Sequence, residues 1–270
     1  MSKVILITGI STGFGRETAA QLAARGHKVY GTSRGACDPA KGINLLTMDL
    51  TDHGSIKRAV TTVAENEGKI DVLINNAGMH TGGPAETTPE EYLRLQIETS
   101  FMGMVLLTRE VLPVMRQAGG GLIINISSIG GLMGLPFQPY YSAAKFAVEG
   151  FSEALGMEIK QFNIKVVIIN PGDFRTSNSA NRRKFLAPSG TGDPYDAQFA
   201  RSLTVIERDE AGGKNPAILA GKLVKIVECR NPAWRYIIAS PDQKLAVLLK
   251  RILPGKWFSQ ILWSHYRNPG

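Results

Sequence analysis

The sequence Lys3-Val4-Ile5-Leu6-Ile7-Thr8-Gly9-Ile10-Ser11-Thr12-Gly13-Phe14-Gly15 decides the fold of this chain. Its apolar first half predicts a buried β-strand over residues 3–8, and a helix-compatible run continues from Arg16 to about Arg25. A glycine-rich turn between a strand and a helix can hold phosphate groups, because glycine permits close backbone approach and the helix N-terminus presents unpaired N–H groups. The spacing is Gly-x-x-x-Gly-x-Gly, without the Gly-Lys-Ser/Thr ending of nucleoside triphosphatases. A glycine turn with a purely structural role is the alternative.

Strands and helices alternate along the rest of the chain. Short apolar runs predict strands, and longer helix-compatible runs predict helices. The predicted strands are 28–32, 43–48, 71–74, 122–126, 164–169 and 234–239. Helices are predicted over 89–117, 141–160 and 216–229, and a further helix, which follows the strand 43–48, ends near Asn66. This alternation is typical of an α/β fold, a doubly wound parallel sheet of about seven strands with helices on both faces.

Polar or glycine-rich segments follow four of the predicted strands. They are the glycine turn after residue 8, the segment 75–78, Ser128, and the pair Pro171-Gly172. Ligands of parallel α/β sheets bind outside the carboxyl ends of the strands. The sequence therefore predicts that these segments meet at one ligand site.

A tyrosine and a lysine lie four residues apart in Tyr141-Ser142-Ala143-Ala144-Lys145, at the start of a predicted helix. This spacing places the two side chains on one helix face. A tyrosine with an ordinary pKa near ~10 holds its proton too tightly for acid–base catalysis near neutrality, and a nearby cation lowers that pKa. Ser128, which follows a predicted buried strand, can hold a carbonyl oxygen while the tyrosine supplies the proton. Because Tyr-x-x-x-Lys also occurs by chance in helices, an ordinary helix face is the alternative.

The end of the second predicted strand bears on the choice of cofactor. In a dinucleotide fold that binds NAD, an acidic residue at this place accepts the ribose hydroxyl groups. This chain has Thr32-Ser33-Arg34 instead, which offers a guanidinium and no carboxylate. Arg34 suits a 2′-phosphate, so the sequence favours NADP(H) over NAD(H). A solvated surface arginine is the alternative.

Composition indicates one metal-free α/β domain of 270 residues in a reducing compartment. A hydrophobic fraction of 43% supplies a core, and no apolar run is long enough to span a membrane. The apolar run after Lys3 is too short for a signal peptide and lacks a small-residue cleavage site. Cys37 and Cys229 fit no metal-ligand spacing. We therefore expect a cytoplasmic protein with no metal site.

The net charge of +8 is concentrated near the C-terminus. From Lys222 onward, the chain has nine basic residues and only two acidic ones. Net positive charge by itself attracts nucleic acid without specificity, and no nucleic-acid-binding module is recognisable in the sequence. We therefore expect no nucleic-acid partner.

Taken together, these motifs resemble the short-chain dehydrogenase/reductase superfamily over roughly residues 1–180. The matching elements, in order, are Thr8-Gly9-x-x-x-Gly13-x-Gly15, Asn75-Asn76-Ala77-Gly78, Ser128, Tyr141-x-x-x-Lys145 and Pro171-Gly172-x-x-x-Thr176. The segment 128–137 is similar to the branch that contains 17β-hydroxysteroid and retinol dehydrogenases. The resemblance implies a Rossmann-type fold.

The resemblance also implies a role for each matching residue. Tyr141 would be the general acid/base, Lys145 would lower its pKa and bind the nicotinamide ribose, and Ser128 would orient the substrate oxygen. Besides Tyr141, Lys145, Ser33 and Arg34, the cofactor contacts would come from Gly9, Ser11, Thr12, Gly13, Phe14, Gly15, Asp49, Leu50, Asn76, Ala77, Gly78, Pro171, Gly172 and Thr176. The reaction would be hydride transfer between a nicotinamide and a carbonyl or alcohol carbon.

The chain departs from the family pattern at Ser100. The family usually has asparagine three residues before the glycine that is Gly103 here. That asparagine would hold a local helix distortion and a water that relays protons to the lysine. Serine can also bond to backbone within a helix, so we count Ser100 with the catalytic residues and expect its role to survive in weakened form.

The segment after the matching region is expected to determine substrate specificity. The predicted division is a cofactor-binding and catalytic core over 1–176, a substrate lid over 177–215 and a C-terminal extension over 216–270. The lid segment is polar and rich in glycine and proline, which is typical of a mobile loop. Within it, Phe185 and Leu186 would contact the substrate or staple the lid to the surface.

The C-terminal tail carries two apolar stripes at helical spacing. The first consists of Leu245, Leu248, Leu249 and Ile252, the second of Trp257, Phe258, Ile261 and Leu262, and the interleaved cations are Lys244, Lys250, Arg251 and Lys256. One interpretation is that both stripes pack on the domain, closing the substrate pocket or forming a subunit contact. The other is that the tail lies on an anionic membrane surface, from which a lipophilic substrate reaches the pocket.

We therefore expect an NADP(H)-dependent oxidoreductase that interconverts a carbonyl and a primary or secondary alcohol. The substrate would be a hydrophobic ketone or aldehyde of steroid, retinoid or lipid type, and the assembly a homodimer or homotetramer. The alternative function is a catalytically weak or silent NADP-binding regulatory protein, which the serine at position 100 motivates.

Overall fold

The computed structural model describes residues 1–175, 183–184 and 193–267. Its strands are β1 (Val4–Thr8), β2 (Lys28–Ser33), β3 (Ile43–Thr47), β4 (Val72–Asn75), β5 (Thr81–Gly82), β6 (Gly121–Ile126), β7 (Ile164–Pro171), β8 (Arg183–Lys184) and β9 (Arg235–Ile238). Its helices are α1 (Gly13–Ala24), α2 (His53–Glu67), α3 (Glu90–Ile97), α4 (Gly103–Gln117), α5 (Pro139–Glu158), α6 (Asp196–Ala211), α7 (Pro216–Glu228), α8 (Pro241–Ile252) and α9 (Gly255–Arg267).

The main sheet has seven parallel strands in the order β3-β2-β1-β4-β6-β7-β9, which confirms the predicted α/β fold. The central strand β1 is buried at every residue because helices cover both faces of the sheet. Ile5 and Ile7 pack in the core with α1 and α7. Leu6 points the other way and packs in the core with α2 and α4. The continuous apolar run of β1 follows from this two-sided burial.

The direction of the strand order reverses between β1 and β4, which is where ligands bind in such sheets. Hydrogen bonds join the carboxyl ends of these two strands. The Thr8 hydroxyl accepts from the backbone N–H groups of Asn76 and Ala77 at 3.0 and 2.8 Å. The Asn76 side-chain amide donates to the carbonyls of Thr8 and Gly9 at 2.8 and 3.1 Å. Two of the predicted site segments, the glycine turn and residues 75–78, therefore meet at the reversal point.

The helix predicted over 89–117 is interrupted. A π-helical segment over Glu98–Met102 separates α3 from α4, with Ser100 buried in its middle. Such single wide turns often mark functional positions. Gly103 follows, and a Cβ atom there would lie 2.6 Å from the Leu50 carbonyl oxygen, so only glycine lets α4 approach the end of β3 this closely.

Helix α6 is an element that the sequence analysis did not predict, because it assigned residues 177–215 to a lid. Phe199, Leu203 and Ile206 are buried at helical spacing, so this helix has an ordinary core-facing stripe. The glycines and prolines that precede it masked that periodicity. Thr176, Phe185 and Leu186 lie outside the residues that the structure describes.

The C-terminal tail forms α8 and α9, and α8 ends just before Pro254 as predicted. Val247 of α8 and Phe258 of α9 are buried in a small apolar cluster with Met133. Among the described residues, no helix is both long enough and apolar enough to cross a membrane.

Candidate active site

The glycine turn and the start of α1 form a cradle for a phosphate group. Gly9 and Gly13 have left-handed backbones, with φ of 73° and 58°, which glycine adopts without strain. A Cβ atom at Gly15 would lie 2.1 Å from the Gly9 carbonyl oxygen, so the turn closes only with glycine there. Thr12, the N-cap residue, makes no side-chain capping bond, and the first turn of α1 has no acidic residue. The unpaired N–H groups and the helix dipole therefore suit a pyrophosphate.

One cavity of about 1190 Å³ extends from this cradle along the carboxyl edge of the sheet. It brings together most of the predicted site residues, namely Gly9, Ser11, Thr12, Gly13, Phe14, Ser33, Arg34, Asp49, Leu50, Asn76, Ala77, Gly78, Ser128, Tyr141, Lys145, Pro171 and Gly172. Gly15 and Ser100 are not among its lining residues; both are buried behind it. Thr176 lies outside the described residues.

The end of the cavity next to β2 is lined by Ser33, Arg34 and Asp49. Arg34 is exposed and forms no ion pair with another described residue, so its guanidinium is available to a ligand. The Asp49 carboxylate accepts bonds from the backbone and hydroxyl of Thr51 at 2.9 and 2.8 Å. These two bonds within the local turn occupy the Asp49 carboxylate. The group at the β2 end that remains available to a ligand is therefore the positively charged guanidinium of Arg34, which fits a 2′-phosphate.

Ser128, Tyr141 and Lys145 line the middle of the cavity. Lys145 is buried, and its ammonium donates to the Ile126 carbonyl at 2.9 Å. Burial lowers the Lys145 pKa to about 8, although the nearby Glu149 carboxylate opposes the shift. The ammonium lies 5.9 Å from the centre of the Tyr141 ring. At neutral pH the lysine is therefore still mostly a cation beside the tyrosine.

The hydroxyl of Ser128 caps a short 3₁₀ turn and accepts from the Gly130 N–H at 3.0 Å. Gly130 also packs against the tyrosine, because a Cβ atom there would lie 3.1 Å from the Tyr141 ring. The serine oxygen is thus held at a fixed place beside the cavity, and its own proton can be donated to a ligand.

An unpredicted residue, His80, stacks on Tyr141. The ring centroids are 4.1 Å apart and the planes are inclined by 22°. Nε2 of His80 lies 2.6 Å from Oε1 of Gln138, which is buried just before α5. His80 and Gln138 both line the cavity. The phenol ring is therefore held on one side by an imidazole that is itself fixed.

Ser100 acts on the backbone beside His80. Its hydroxyl accepts from the Met79 N–H at 3.2 Å and donates to the Met79 carbonyl at 3.4 Å. The buried Gln96 amide donates to Ser100 at 2.9 Å and to the Met79 carbonyl at 3.1 Å, and it accepts from the Thr81 N–H at 2.9 Å. Gln96 and Ser100, one turn apart, thus hold the backbone on both sides of His80. The predicted relay role of Ser100 stays a prediction.

A buried ion pair supports the site from the other side. Glu149, one turn after Lys145, pairs with Arg235 of β9 and accepts from the Asn170 amide at 2.6 Å. Asn170 also donates to the Ser128 carbonyl at 2.9 Å and accepts from Arg235 at 3.1 Å. This network fixes the backbone of the serine.

The sequence analysis missed His80, Gln96, Gln138 and Arg235. Gln96 carried one usable signal, a polar residue within the apolar stripe of a predicted helix, where a buried amide needs partners. The other contacts join segments far apart in the chain, so no local pattern indicates them.

Helices α6, α8 and α9 line the same cavity with both apolar and polar side chains, the polar ones including Arg208, Asp209, Glu210, Asp242, Gln243 and His265. The apolar ones are Ile206, Leu245, Ala246, Leu249, Phe258, Ile261 and Leu262. One face of α8 and one face of α9 line the cavity, which agrees with the interpretation that the tail closes the pocket. Leu248, Ile252 and Trp257 are exposed apolar residues of α8 and α9 that do not line the cavity, whereas Leu245 and Ile261 line it and are also exposed.

A model of the short chain dehydrogenase family matches residues 3–187. The chain is 44% identical over 264 residues to a 3-ketodihydrosphingosine reductase of Bacteroides thetaiotaomicron, with 98% of each chain covered. It is also 31% identical over 253 residues to retinol dehydrogenase 8 of Bos taurus, covering 86% of this chain and 80% of that protein.

Two solved structures extend the comparison. A short-chain dehydrogenase from Streptomyces avermitilis matches with a TM-score of 0.78 and 30% identity over 93% of this chain and 92% of that one. A variant of actinorhodin polyketide ketoreductase with NADPH matches with a TM-score of 0.71 and 28% identity over 88% and 95%. The chain therefore belongs to the short-chain dehydrogenase/reductase family, in the branch that includes retinol dehydrogenases, and is an oxidoreductase acting on CH–OH donors with a nicotinamide cofactor.

Proposed function

We propose that the protein is an NADP(H)-dependent reductase of a hydrophobic, lipid-like ketone, able to run in reverse on the corresponding alcohol. The observation that carries this proposal is one continuous cavity, which joins Ser128, Tyr141 and Lys145 to apolar side chains of the C-terminal helices. A polar reacting group would lie at the middle of the cavity, and an aliphatic body would extend toward α8 and α9.

Each catalytic side chain has a distinct task in this scheme. The cofactor, when bound, supplies the hydride. Ser128 donates a hydrogen bond to the carbonyl oxygen, which keeps that oxygen in place while negative charge develops on it. The Tyr141 hydroxyl donates its proton to the same oxygen, and the Lys145 ammonium stabilises the phenolate that is left. Reprotonation of the phenolate from solvent completes the turnover.

The preference for NADP(H) rests on Arg34. It is an exposed guanidinium at the end of β2, it lines the cavity, and no carboxylate follows β2 where NAD-binding sheets place one. The match to a ketoreductase solved with NADPH supports the same choice.

The substrate class rests on the cavity lining and on one relative. Seven apolar residues of α6, α8 and α9 line the cavity, beside charged residues of the same helices. The relative with 44% identity over nearly the whole chain is named for a long-chain 3-keto compound, 3-ketodihydrosphingosine. A ketone with a long alkyl chain matches both observations better than a small polar ketone does.

The catalytically silent regulator is the weaker alternative. Serine, tyrosine and lysine are all present and line one cavity, and Ser100 keeps bonds to the backbone at residue 79. A regulator would not need this constellation. For location and assembly, we retain a cytoplasmic homodimer or homotetramer in peripheral contact with the membrane, without a nucleic-acid partner.

The test is a reduction assay with purified protein and either NADPH or NADH. The panel comprises 3-ketodihydrosphingosine, retinal, a steroid ketone and a short water-soluble ketone. We expect the long-chain ketone to be reduced fastest, and NADH to serve at least about tenfold less well than NADPH, a difference of roughly 1.4 kcal/mol. Folded protein that binds NADPH but reduces none of these compounds would support the silent regulator instead.

A further inference from the structure

We propose that α8 and α9 dock the protein on an anionic lipid surface, and that a lipid substrate enters the cavity between these two helices. The portal rests on the proposed function, because it assumes a lipid-like ketone. The docking surface does not, because it follows from the exposed residues of the two helices alone.

The first observation is an unusual concentration of exposed apolar side chains. Six of the thirteen large hydrophobic residues exposed in the described chain lie within residues 245–263. On α8, Leu245, Leu248 and Ile252 share one helix face and are 54%, 53% and 64% exposed. On α9, Trp257 and Ile261 are one turn apart and are 60% and 51% exposed. Single exposed apolar residues are ordinary, but a group on adjoining helices marks an interaction surface.

The second observation is the charge beside this face. Lys244 and Arg251 lie one turn before and one turn after Leu248, so they flank the apolar stripe of α8. With Lys250 and Lys256, they are exposed and form no ion pair with any described carboxylate. Asp242 is the one acidic residue of α8 and α9. An apolar stripe with a rim of cations is the pattern of a helix that lies in the surface of an anionic bilayer.

The third observation connects the surface to the cavity. Leu245 and Ile261 are about half exposed, yet both also line the catalytic cavity. Leu249 and Leu262, further inside, line it too. The cavity therefore reaches the surface between α8 and α9, at the apolar face itself. A substrate that leaves the bilayer there would keep its alkyl chain among apolar side chains throughout its path.

A second copy of the chain fits this face less well. The common two-fold contact joins a patch to itself, so the same four cations would be present on both sides of the contact. Such a contact brings like charges together, whereas anionic lipid headgroups neutralise them. The charge pattern therefore favours lipid over a subunit contact.

The docking test is sedimentation with vesicles of phosphatidylcholine alone or of an equal mixture with phosphatidylserine. We expect full-length protein to sediment with the mixed vesicles at low salt and to be released by high salt. Combined Leu248→Gln, Ile252→Gln and Trp257→Gln should abolish binding. Lys244→Gln and Arg251→Gln should weaken it about fivefold each. Ile218→Gln, at a 54% exposed apolar residue of α7, is the control and should bind as the unmodified protein does.

The portal test compares two substrates with the same variants, none of which changes a cavity-lining residue. The triple glutamine variant should reduce a vesicle-embedded long-chain ketone at least tenfold more slowly, while it reduces a short water-soluble ketone at an unchanged rate. Equal loss on both substrates would overturn the portal. Unmodified protein that stays in the supernatant at low salt would overturn the docking, as would conversion of an oligomer to monomers by the triple variant. Sedimentation without reduction of any ketone would leave the docking in place and refute the proposed function.

Discussion

The imidazole of His80 stacks on the phenol of Tyr141 with the ring centroids 4.1 Å apart. If this contact orients the phenol, His80→Phe should keep most of the turnover that His80→Ala loses, because phenylalanine preserves the stacked ring. Aromatic pairs contribute about 0.5–1.5 kcal/mol beyond their buried area, so we expect a loss of up to roughly tenfold in kcat for alanine. Steady-state kinetics with NADPH check this, and equal losses in the two variants would show that the bond to Gln138 matters more than the stack.

Replacement of Tyr141 by phenylalanine removes the proton donor and leaves the ring. We expect the variant to bind NADPH with an unchanged Kd and to lose nearly all turnover. Fluorescence titration of the cofactor and a single-turnover reduction measure the two effects separately. A variant that keeps most of its turnover would mean that another group supplies the proton.

Ser100 offers a matched pair of changes. Ser100→Ala removes the hydroxyl that accepts from the Met79 N–H and should lower kcat, because the backbone beside His80 is then held less firmly. Ser100→Asn places the usual family residue in the π-helical segment, and we expect it to fold normally and to keep or raise turnover. Kinetics and thermal unfolding of both proteins test this. A well-folded asparagine variant without activity would show that Gln96 and Ser100 work by a different arrangement.

Arg34→Ala should raise the Kd for NADPH at least about tenfold, roughly 1.4 kcal/mol, through loss of a charge-assisted bond to the 2′-phosphate. The Kd for NADH should change by less than about twofold, since that cofactor has no phosphate there. Arg16→Ala is the control, because Arg16 is also exposed near the glycine turn but does not line the cavity. Equal effects of Arg34→Ala on both cofactors would contradict the assignment.

The buried Lys145 predicts a pH dependence of stability. Burial lowers its pKa from 10.5 to about 8, so below pH 8 the lysine is protonated in both the folded and the unfolded state and the desolvation cost is fully present. Between pH 8 and 10.5 the unfolded state binds a proton that the folded state does not, so stability rises with pH. Relative to Lys145→Met, cofactor-free protein should gain about 3 kcal/mol across this window. Urea unfolding of both proteins at several pH values checks this, and a constant difference would contradict the shift.

Local patterns were sufficient for the core of the fold. The apolar run of β1 and the glycines after it act within a few residues of one another, and the structure places them as predicted. The interruption at residues 98–102 was indicated only by the family resemblance at Ser100, which implies a helix distortion there. No local pattern shows it, because Gln96 and Ser100 bond to the backbone of Met79, 17 and 21 residues earlier in the chain. Helix α6 was missed for a different reason, since its stripe begins after a run of glycine and proline that resembles a loop.

The site shows the same division. The tyrosine–lysine pair lies on one helix, so its spacing alone indicates it. The stack of His80 on Tyr141 and the pairing of Arg235 with Glu149 join residues 61 and 86 positions apart, and such contacts exist only once the sheet has formed. The tail helices were predicted correctly as elements, but the sequence could not say which apolar residues face the cavity and which face outward.

The tie between Arg235, Asn170 and the Ser128 carbonyl has a consequence for synthesis of the chain. The hydrogen bonds that join the glycine turn to Asn76 and Ala77 involve only residues translated before residue 80, in the first third of the chain. The serine's backbone, in contrast, is anchored through Asn170 to Glu149, and Glu149 lacks its cationic partner until residue 235 has left the exit tunnel. The backbone of Ser128 is therefore fixed in its final place only when the polypeptide is nearly finished.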